Sequence, residues 1–513
     1  MRLVDTRRHS IAGNYCSRRV GLSTHRRLSE TVMPTMKSIS RRITAVQKHS
    51  SPTVRIGLLT PYAGSNQGDS AIRTEVIRGV RHHIPEAELW GIDLLPTETA
   101  RLHGIPAFPI TGLLVPFYSE SLFEPMNGMF VRFSTRSLSE VIKEQEGEAP
   151  VHASAGREIW QHLKGIPVVG WLLKCLLRCV RRISIVMNEA RHIRTSFQFL
   201  KGLDMVMVSG GGQLSEKWGG PWGQPYVLLR WGILARLARK RFVVVSVGVG
   251  ELKTLLGRFF TRMALSLACY RSYRDLGSKE MLGTWSFTKN DPYVPDLAFT
   301  MHVNTESSAE IPGVRPLVVG VGMIAYGRHE SWPTDAPNIY DDYLSNVADF
   351  IASLASKGHK VVLFKSSGAD RYAVMEVKER ILREWPPDVG DQISARLIET
   401  LEELLQEIKK VDVVVASRLH SVILSHMSAK PVLTISYDRK VERHVQDVGQ
   451  EKYMVDIRNF TSTDLMERFE DLMNNAAAVK AEVSGHILDF RGPLEKQYDY
   501  LCGLLSPKQS DGD

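Results

Sequence analysis

Asp412-Val413-Val414-Val415-Ala416-Ser417-Arg418-Leu419-His420-Ser421 runs an unbroken apolar segment directly into an arginine and a histidine. Continuous β-branched residues without polar alternation fit a strand covered on both faces, as strands of parallel α/β sheets are. Such sheets hold ligands beyond the carboxyl ends of their strands, and that is where Arg418 and His420 fall. Histidine exchanges a proton near neutral pH, and a neighbouring arginine can hold a phosphate or carboxylate. A histidine that opens a helix by itself is more often a cap or a core residue. Next to Arg418 at a strand end, His420 becomes a candidate catalytic group.

Working outward, the same strand–loop–helix unit recurs. Leu317-Val318-Val319-Gly320-Val321-Gly322, Lys360-Val361-Val362-Leu363-Phe364 and the run 431–436 predict further strands, with helices expected near 343–356, 372–384, 400–410 and 420–428. In the first half, Val54-Arg55-Ile56-Gly57-Leu58-Leu59, Asp204-Met205-Val206-Met207-Val208 and Phe242-Val243-Val244-Val245-Ser246-Val247 each lead into a glycine-bearing loop, and a helix is expected over 226–239. The fold class expected is therefore α/β, with two Rossmann-like domains facing across a cleft. The expected division is a basic tail over 1–50, an N-terminal domain over 51–303 carrying a helical insertion at about 117–199, a C-terminal domain over 304–480, and a helix and tail over 481–513. The segment Asp291-Pro292-Tyr293-Val294-Pro295-Asp296 and the polar stretch 304–316, short in apolar residues and bracketed by prolines, read as the link between domains.

Several loops are candidates for binding. Gly64-Ser65-Asn66-Gln67-Gly68-Asp69 joins a strand end to a helix start, where unpaired N–H groups favour anions. Asp69 could equally be the N-cap of that helix. Ser209-Gly210-Gly211-Gly212 follows a buried strand, and three adjacent glycines permit close backbone approach to a ligand, whereas a plain turn rarely needs three. In Arg271-Ser272-Tyr273-Arg274-Asp275-Leu276-Gly277-Ser278, one arginine is expected to be an anion fork and the other an exposed charge, with Asp275 and Ser278 as candidate caps. Ser436-Tyr437-Asp438-Arg439-Lys440 can add a cation to the rim around His420. Gly320-Val321-Gly322-Met323-Ile324-Ala325 matches the dinucleotide fingerprint only formally, because residues 326–333 do not read as the helix that a pyrophosphate needs.

Composition narrows the class. The chain of 513 residues carries 65 Lys and Arg against 56 Asp and Glu, a net charge of +9. Residues 1–50 hold eleven of those cations and only Asp5 and Glu30, with no apolar run able to form a core, so they read as a solvated basic tail. A tail of this composition could also pass for a transit peptide or gain attraction to an anionic lipid surface. No apolar run approaches the roughly 20 residues that span a bilayer. The stretch 166–183 is amphipathic and could lie in an interface, although a helix packed on its own domain explains the pattern better. Cys16, Cys175, Cys179, Cys269 and Cys502 are odd in number and lack metal-ligand spacing, which fits a reducing, cytoplasmic setting, peripheral to a membrane at most. No metal site, cofactor or nucleic-acid partner is expected.

Taken together, residues 64–72, the triple glycine at 210–212, Tyr273-Arg274-Asp275 with Ser278, Asp296, Ser417-Arg418-Leu419-His420, and Ile435-Ser436-Tyr437-Asp438 with Lys440 resemble the polysaccharide pyruvyl transferase family. The motifs occur in the family's order and span most of the chain. The resemblance implies a glycosyltransferase-B-like fold and transfer of a pyruvyl group from phosphoenolpyruvate to a sugar of a polysaccharide or lipid-linked glycan, forming a pyruvate ketal. It also implies that Arg418, Leu419, His420 and Arg274 are functional positions. On this reading His420 and Arg418 are catalytic, and Asn66, Gly68, Asp69, Gly210, Gly211, Gly212, Arg274, Leu419 and Lys440 bind substrate. The rival expectations are a nucleotide-sugar glycosyltransferase of the same architecture and a non-catalytic glycan-binding member.

Overall fold

The structure, a computed structural model, describes residues 53–62, 64–112, 167–217, 219–285, 288–303, 315–327 and 336–505, with side chains from Ile183 and from Asn338 onward in the two helices that begin at Pro167 and Ala336. The basic tail, the first part of the expected insertion, residues 304–314 of the expected link, the side chains of Cys175 and Cys179, and residues 506–513 lie outside them. Of the insertion, the described part is one long helix, α3 (Pro167–Lys201).

The first sheet holds β1 (Arg55–Leu59), β2 (Glu88–Asp93), β3 (Ala107–Pro109), β4 (Met205–Ser209), β5 (Arg241–Val247) and β6 (Tyr270–Tyr273) in the order β3-β2-β1-β4-β5-β6. The second holds β7 (Val318–Gly322), β8 (Lys360–Phe364), β9 (Ile393–Arg396), β10 (Val413–Ala416), β11 (Val432–Ser436) and β12 (Met454–Asp456) in the order β12-β11-β10-β7-β8-β9. All pairings are parallel. Read from its β9 edge, the second sheet repeats the order of the first. Each therefore reverses direction once, between β1 and β4 and between β7 and β10, and it is at such a reversal that an α/β sheet opens a crevice. The two-sheet α/β arrangement expected from the sequence is the one observed.

The helices between strands are α1 (Gln67–His83), α2 (Pro96–His103), α3, α4 (Gln224–Leu237), α5 (Leu255–Leu267) and α6 (Leu276–Leu282) in the first half. In the second half they are α7 (Ala336–Ser356), α8 (Arg371–Glu384), α9 (Pro387–Asp391), α10 (Leu401–Lys410), α11 (Leu419–Met427), α12 (Arg439–Asp447) and α13 (Ser462–Asn474). Local chemistry sets their ends. Thr400 accepts a bond from the Glu403 N–H, and α10 then carries Glu402 and Glu403 in its first turn and Lys409 and Lys410 in its last, both complementing the helix dipole. A final helix, α14 (Ala476–Leu505), crosses back from the second half to the first. Its Tyr498 covers Gly79 of α1 so closely that a Cβ there would lie 2.5 Å from the ring, and its Gln497 bonds Tyr270, Ser272 and Ser246. Apolar residues of both halves and of α14 form one continuous core.

Candidate functional site

The carboxyl ends of β1, β4, β7 and β10 meet where the two sheets face each other. At β10, Ser417 and Arg418 lead into α11. Leu419 belongs to the hydrophobic core at 5% exposure, which anchors the helix start and leaves Arg418 and His420 on either side of it partly open, with side chains 23% and 13% exposed. Arg418 forms a bidentate pair with the fully buried Asp370, Nε to Oδ2 at 2.9 Å and Nη2 to Oδ1 at 2.7 Å. Asp370 also accepts from the Ala325 N–H at 3.1 Å, so the loop after β7 and the helix after β10 are tied through one carboxylate.

His420 lies against the first half. A Cβ on Gly68 would come within 2.0 Å of His420 Nδ1, so only glycine lets the imidazole rest on the first turn of α1. On the other side of the ring, Nε2 is 3.7 Å from Oδ2 of Asp296, an oxygen that also receives Arg274 Nη1 at 3.1 Å. Asp296 caps its own short helix by accepting from the Ala298 N–H at 3.0 Å. Burial works to raise the Asp296 carboxyl, but His420, Arg274 and that N–H outweigh it and hold it well below the ordinary carboxylate range. Asp69 behaves in the opposite way. Burial pushes its carboxyl up, the neighbouring Asp296 adds to the rise, and the charges of His420, Lys440 and Arg274 only partly oppose it. Two carboxyls around one imidazole are thus driven apart in acidity, an arrangement typical of sites that move protons.

The sequence left Asp69 as a possible N-cap. The structure corrects this: Asn66 is the cap, its side chain accepting from the Gly68 N–H at 3.0 Å, while its amide donates to Asp69 at 3.0 Å. Asp69 is thereby free of capping and turned toward the cluster. Gly210 and Gly211, with φ of +60° and +69°, adopt a backbone that other residues resist, and Gly211 lies beside Asp69. Gly212 is exposed, with nothing within 4 Å of where a Cβ would stand, so its backbone borders open space.

Two further cations close the group. Lys440 Nζ lies 5.3 Å from the ring centroid of Tyr437. Burial would lower the Lys440 ammonium, but Tyr437 and Asp438 raise it, while Lys440 and Arg418 together overcome burial and lower the Tyr437 phenol. Arg274 is seated beside Gly248, where a Cβ would meet its Nε at 2.5 Å. The expectation that one of Arg271 and Arg274 is exposed is overturned. Arg271, within β6, is locked by Asp291 through Nε at 2.8 Å and Nη2 at 2.9 Å, and Arg274, just past the strand, is buried at 8% exposure against Asp296, because the segment after α6 brings both aspartates to the end of β6.

Charged contacts also stitch the halves together. Arg443 of α12 bonds Asp275 at 2.8 Å, Lys217 bonds Asp438 at 3.3 Å, and the Gln67 N–H donates to the Ser366 carbonyl at 3.0 Å. Asp275 does cap α6, as its position suggested, by accepting from the Ser278 N–H at 2.7 Å. The structure thus brings Gly68, Asp69, Gly211, Arg274, Arg418, His420 and Lys440 into one region. Asp370, which pairs with Arg418, and Asp296, which binds Arg274 and lies 3.7 Å from His420, are not among the expected site residues; the sequence offers Asp296 only as the end of a link segment and a member of a motif set, and Asp370 not at all. Among the described residues no cluster of three or more His, Cys, Asp and Glu side chains is arranged to hold a metal ion.

Comparison with known proteins adds two findings. Solved structures of similar fold include UDP-GlcNAc 2-epimerase from Methanocaldococcus jannaschii, 9% identical with a TM-score of 0.45 over 82% of this chain and 93% of that one. S. aureus MnaA bound to UDP is 10% identical with a TM-score of 0.49 over 90% and 100%. The apo lipopolysaccharide outer core galactosyltransferase WaaB is 10% identical with a TM-score of 0.44 over 86% and 99%. Likeness at this level is one of fold. No match is found among curated proteins. Residues 66–439, which run from the cap of α1 to the start of α12 and enclose all of the site but Lys440, match the family described as polysaccharide pyruvyl transferase. The chain is therefore a transferase that belongs to the polysaccharide pyruvyl transferase family.

Proposed function

We propose that the chain transfers the pyruvyl group of phosphoenolpyruvate to two hydroxyls of a sugar, giving a cyclic pyruvate ketal and inorganic phosphate. The observation that carries this reading is the placement of His420 between Asp296 and the first turn of α1, with Arg274, Arg418 and Lys440 around it. A small, densely anionic donor suits a site with several cations and an imidazole.

Chemistry follows from these positions. The imidazole of His420, lying between Asp296 and the loop at 64–69, supplies the proton. That proton goes to the methylene carbon of the enolpyruvate, and the cation formed at its central carbon is attacked by a sugar hydroxyl. Asp69, with its raised carboxyl, is placed to take a hydroxyl proton as the new C–O bond forms. A second hydroxyl then displaces phosphate and closes the ring, and the departing phosphate carries the second hydroxyl's proton. Arg418, Arg274 and Lys440 offset the donor's negative charge throughout, and the pairing of two of them with Asp370 and Asp296 fixes their direction.

General acid–base assistance contributes about 10²–10⁴-fold, so His420→Ala should lose turnover by about that factor while keeping its melting temperature. Phosphate release from phosphoenolpyruvate at the native rate, measured with acceptor present, would remove His420 from the mechanism. Ligand-induced thermal shifts separate the donor classes. Phosphoenolpyruvate should raise the melting temperature by mass action, and stabilisation by a nucleotide sugar alone would point to glycosyl transfer instead.

A further inference from the structure

Away from the cleft, the outer surface of the first half has an unusual composition. The connections of β3 to β4, β4 to β5 and β5 to β6 run through α3, α4 and α5, which pack side by side as one layer. Within α4 and α5 there is no Asp or Glu at all, and the one acid in α3, Glu189, is buried against Arg230 and Tyr226. Arg191, Arg194, Arg236, Arg258 and Arg262 are exposed on the same three helices, and Lys253 precedes α5. The nearby acids are already engaged, Glu216 by Thr254 at 2.8 Å and Glu251 by Lys253 at 3.0 Å.

Large apolar side chains stand among these cations. On α5, Leu255 (84% exposed), Phe259 (54%) and Met263 (39%) recur every fourth residue and form one row, flanked by a second row of Arg258 and Arg262. Trp222, 57% exposed, meets Phe260 in an edge-to-face contact with centroids 5.4 Å apart and leaves much of its ring outside.

We infer that this layer docks on the surface of an anionic lipid bilayer, α5 lying in the interface with its Leu255–Phe259–Met263 row among acyl chains and its arginines on lipid phosphates. An apolar row bordered by cations on an acid-free helix is the composition that holds a helix in the plane of a membrane, and a tryptophan half in and half out suits the headgroup region. Two other occupants fit less well. A second copy would bring like-charged faces together, and a nucleic acid would use the cations but leave the apolar row unmatched. Among the described residues no helix is long and apolar enough to cross a membrane, so the contact is one of surface docking. Helices that follow parallel strands start at the carboxyl ends, so Leu255 and Trp222 sit at the end of the layer nearest the cleft. A membrane-held sugar acceptor would therefore approach the cleft directly; that consequence rests on the proposed function, while the docking does not.

Flotation of the full-length chain with vesicles of phosphatidylcholine mixed with phosphatidylglycerol tests the inference. The native chain should float with these vesicles and not with phosphatidylcholine alone. L255S/F259S should weaken binding about tenfold or more, and R258E/R262E should do the same while flattening its salt dependence. Both variants change exposed residues and should keep the native melting temperature. Full binding by both variants would overturn the inference, in particular if reversing Arg18, Arg19, Arg26 and Arg27 abolished it instead. So would absence of binding by the native chain, or a native dimer in sedimentation that L255S/F259S converts to monomer.

Discussion

The two sheets share one strand order, yet the crevices at their reversal points are built from different material. At β1 and β4 the chain supplies backbone: the loop at 64–69, and Gly210 and Gly211 in a left-handed conformation. At β7 and β10 it supplies side chains, Arg418 paired with the buried Asp370 and His420 standing 3.7 Å from the buried Asp296. Topology alone therefore offers two equivalent crevices, and the residues at the strand ends decide that the first is shaped by glycine backbone beside Asp69 while the second projects Arg418 and His420. The division is mutual, because Gly68 of the first crevice makes room for His420 of the second.

If that contrast is right, changes in the second crevice should be the more severe. His420→Ala has the largest expected effect, the loss of about 10²–10⁴-fold in turnover argued above. Asp370→Ala comes next. It leaves Arg418 without the carboxylate that fixes it and strips the Ala325 N–H of its acceptor, which should cost about 3 kcal/mol of stability in denaturant unfolding. An unfolding midpoint equal to that of the native chain would show that Arg418 does not depend on this pair. In the first crevice, Gly68→Ala adds a single methyl group where His420 stands. The ring must move by more than an ångström, and a misplacement of that size costs about 10²-fold in rate. The same overpacking should cost about 1–3 kcal/mol in unfolding, so the rate is read well below the variant's melting temperature. Native turnover in G68A would show that the imidazole need not sit where it does, and the contrast between backbone and side-chain crevices would fail at its point of contact.

Much of this was legible before any coordinates. Continuous Val-rich runs such as 413–416 announce doubly covered strands, and the abrupt change to Ser417-Arg418-Leu419-His420 marks the carboxyl end of β10. The glycine run 210–212 likewise marks a backbone out of the ordinary, and two of its members, Gly210 and Gly211, take a φ that other residues resist. The partners of the charged residues were less visible. Asp370 lies in the turn after β8 and Asp296 in the stretch before β7, far in sequence from Arg418 and His420, and a single aspartate in a loop gives no sign of what the fold will bring to it. Asn66 took the capping position that Asp69 also fitted, because the helix begins one turn earlier than Asp69 requires, and that shift turned Asp69 toward the site. The short strands β3 and β12, three residues each, carry too few side chains for a periodicity to show.

The smallest predicted effect probes the seam that holds the two crevices together. Asp447, at the end of α12, has its carboxyl pushed up to about 6, first by burial and then by Asp275 of the first half, with Arg443 and His486 opposing. The sign follows from linkage. Below about pH 4 the group is protonated in both folded and unfolded chains and contributes nothing. Between about pH 4 and pH 6 the unfolded chain releases the proton first, so stability falls as pH rises, and above about pH 6 the penalty is complete. Asp447→Asn removes that penalty. The variant should match the native chain in thermal unfolding at pH 4 and exceed it at pH 7 by about 1 kcal/mol once solvent screening is allowed for. Because Asp275 is held by Arg443 across the seam at 2.8 Å, the gain measures the burial, and after it the repulsion, that the closed arrangement imposes on Asp447. A variant no more stable than the native chain at pH 7 would mean that Asp447 is neither buried nor beside Asp275 in solution, so that the seam at the end of α12 stands open.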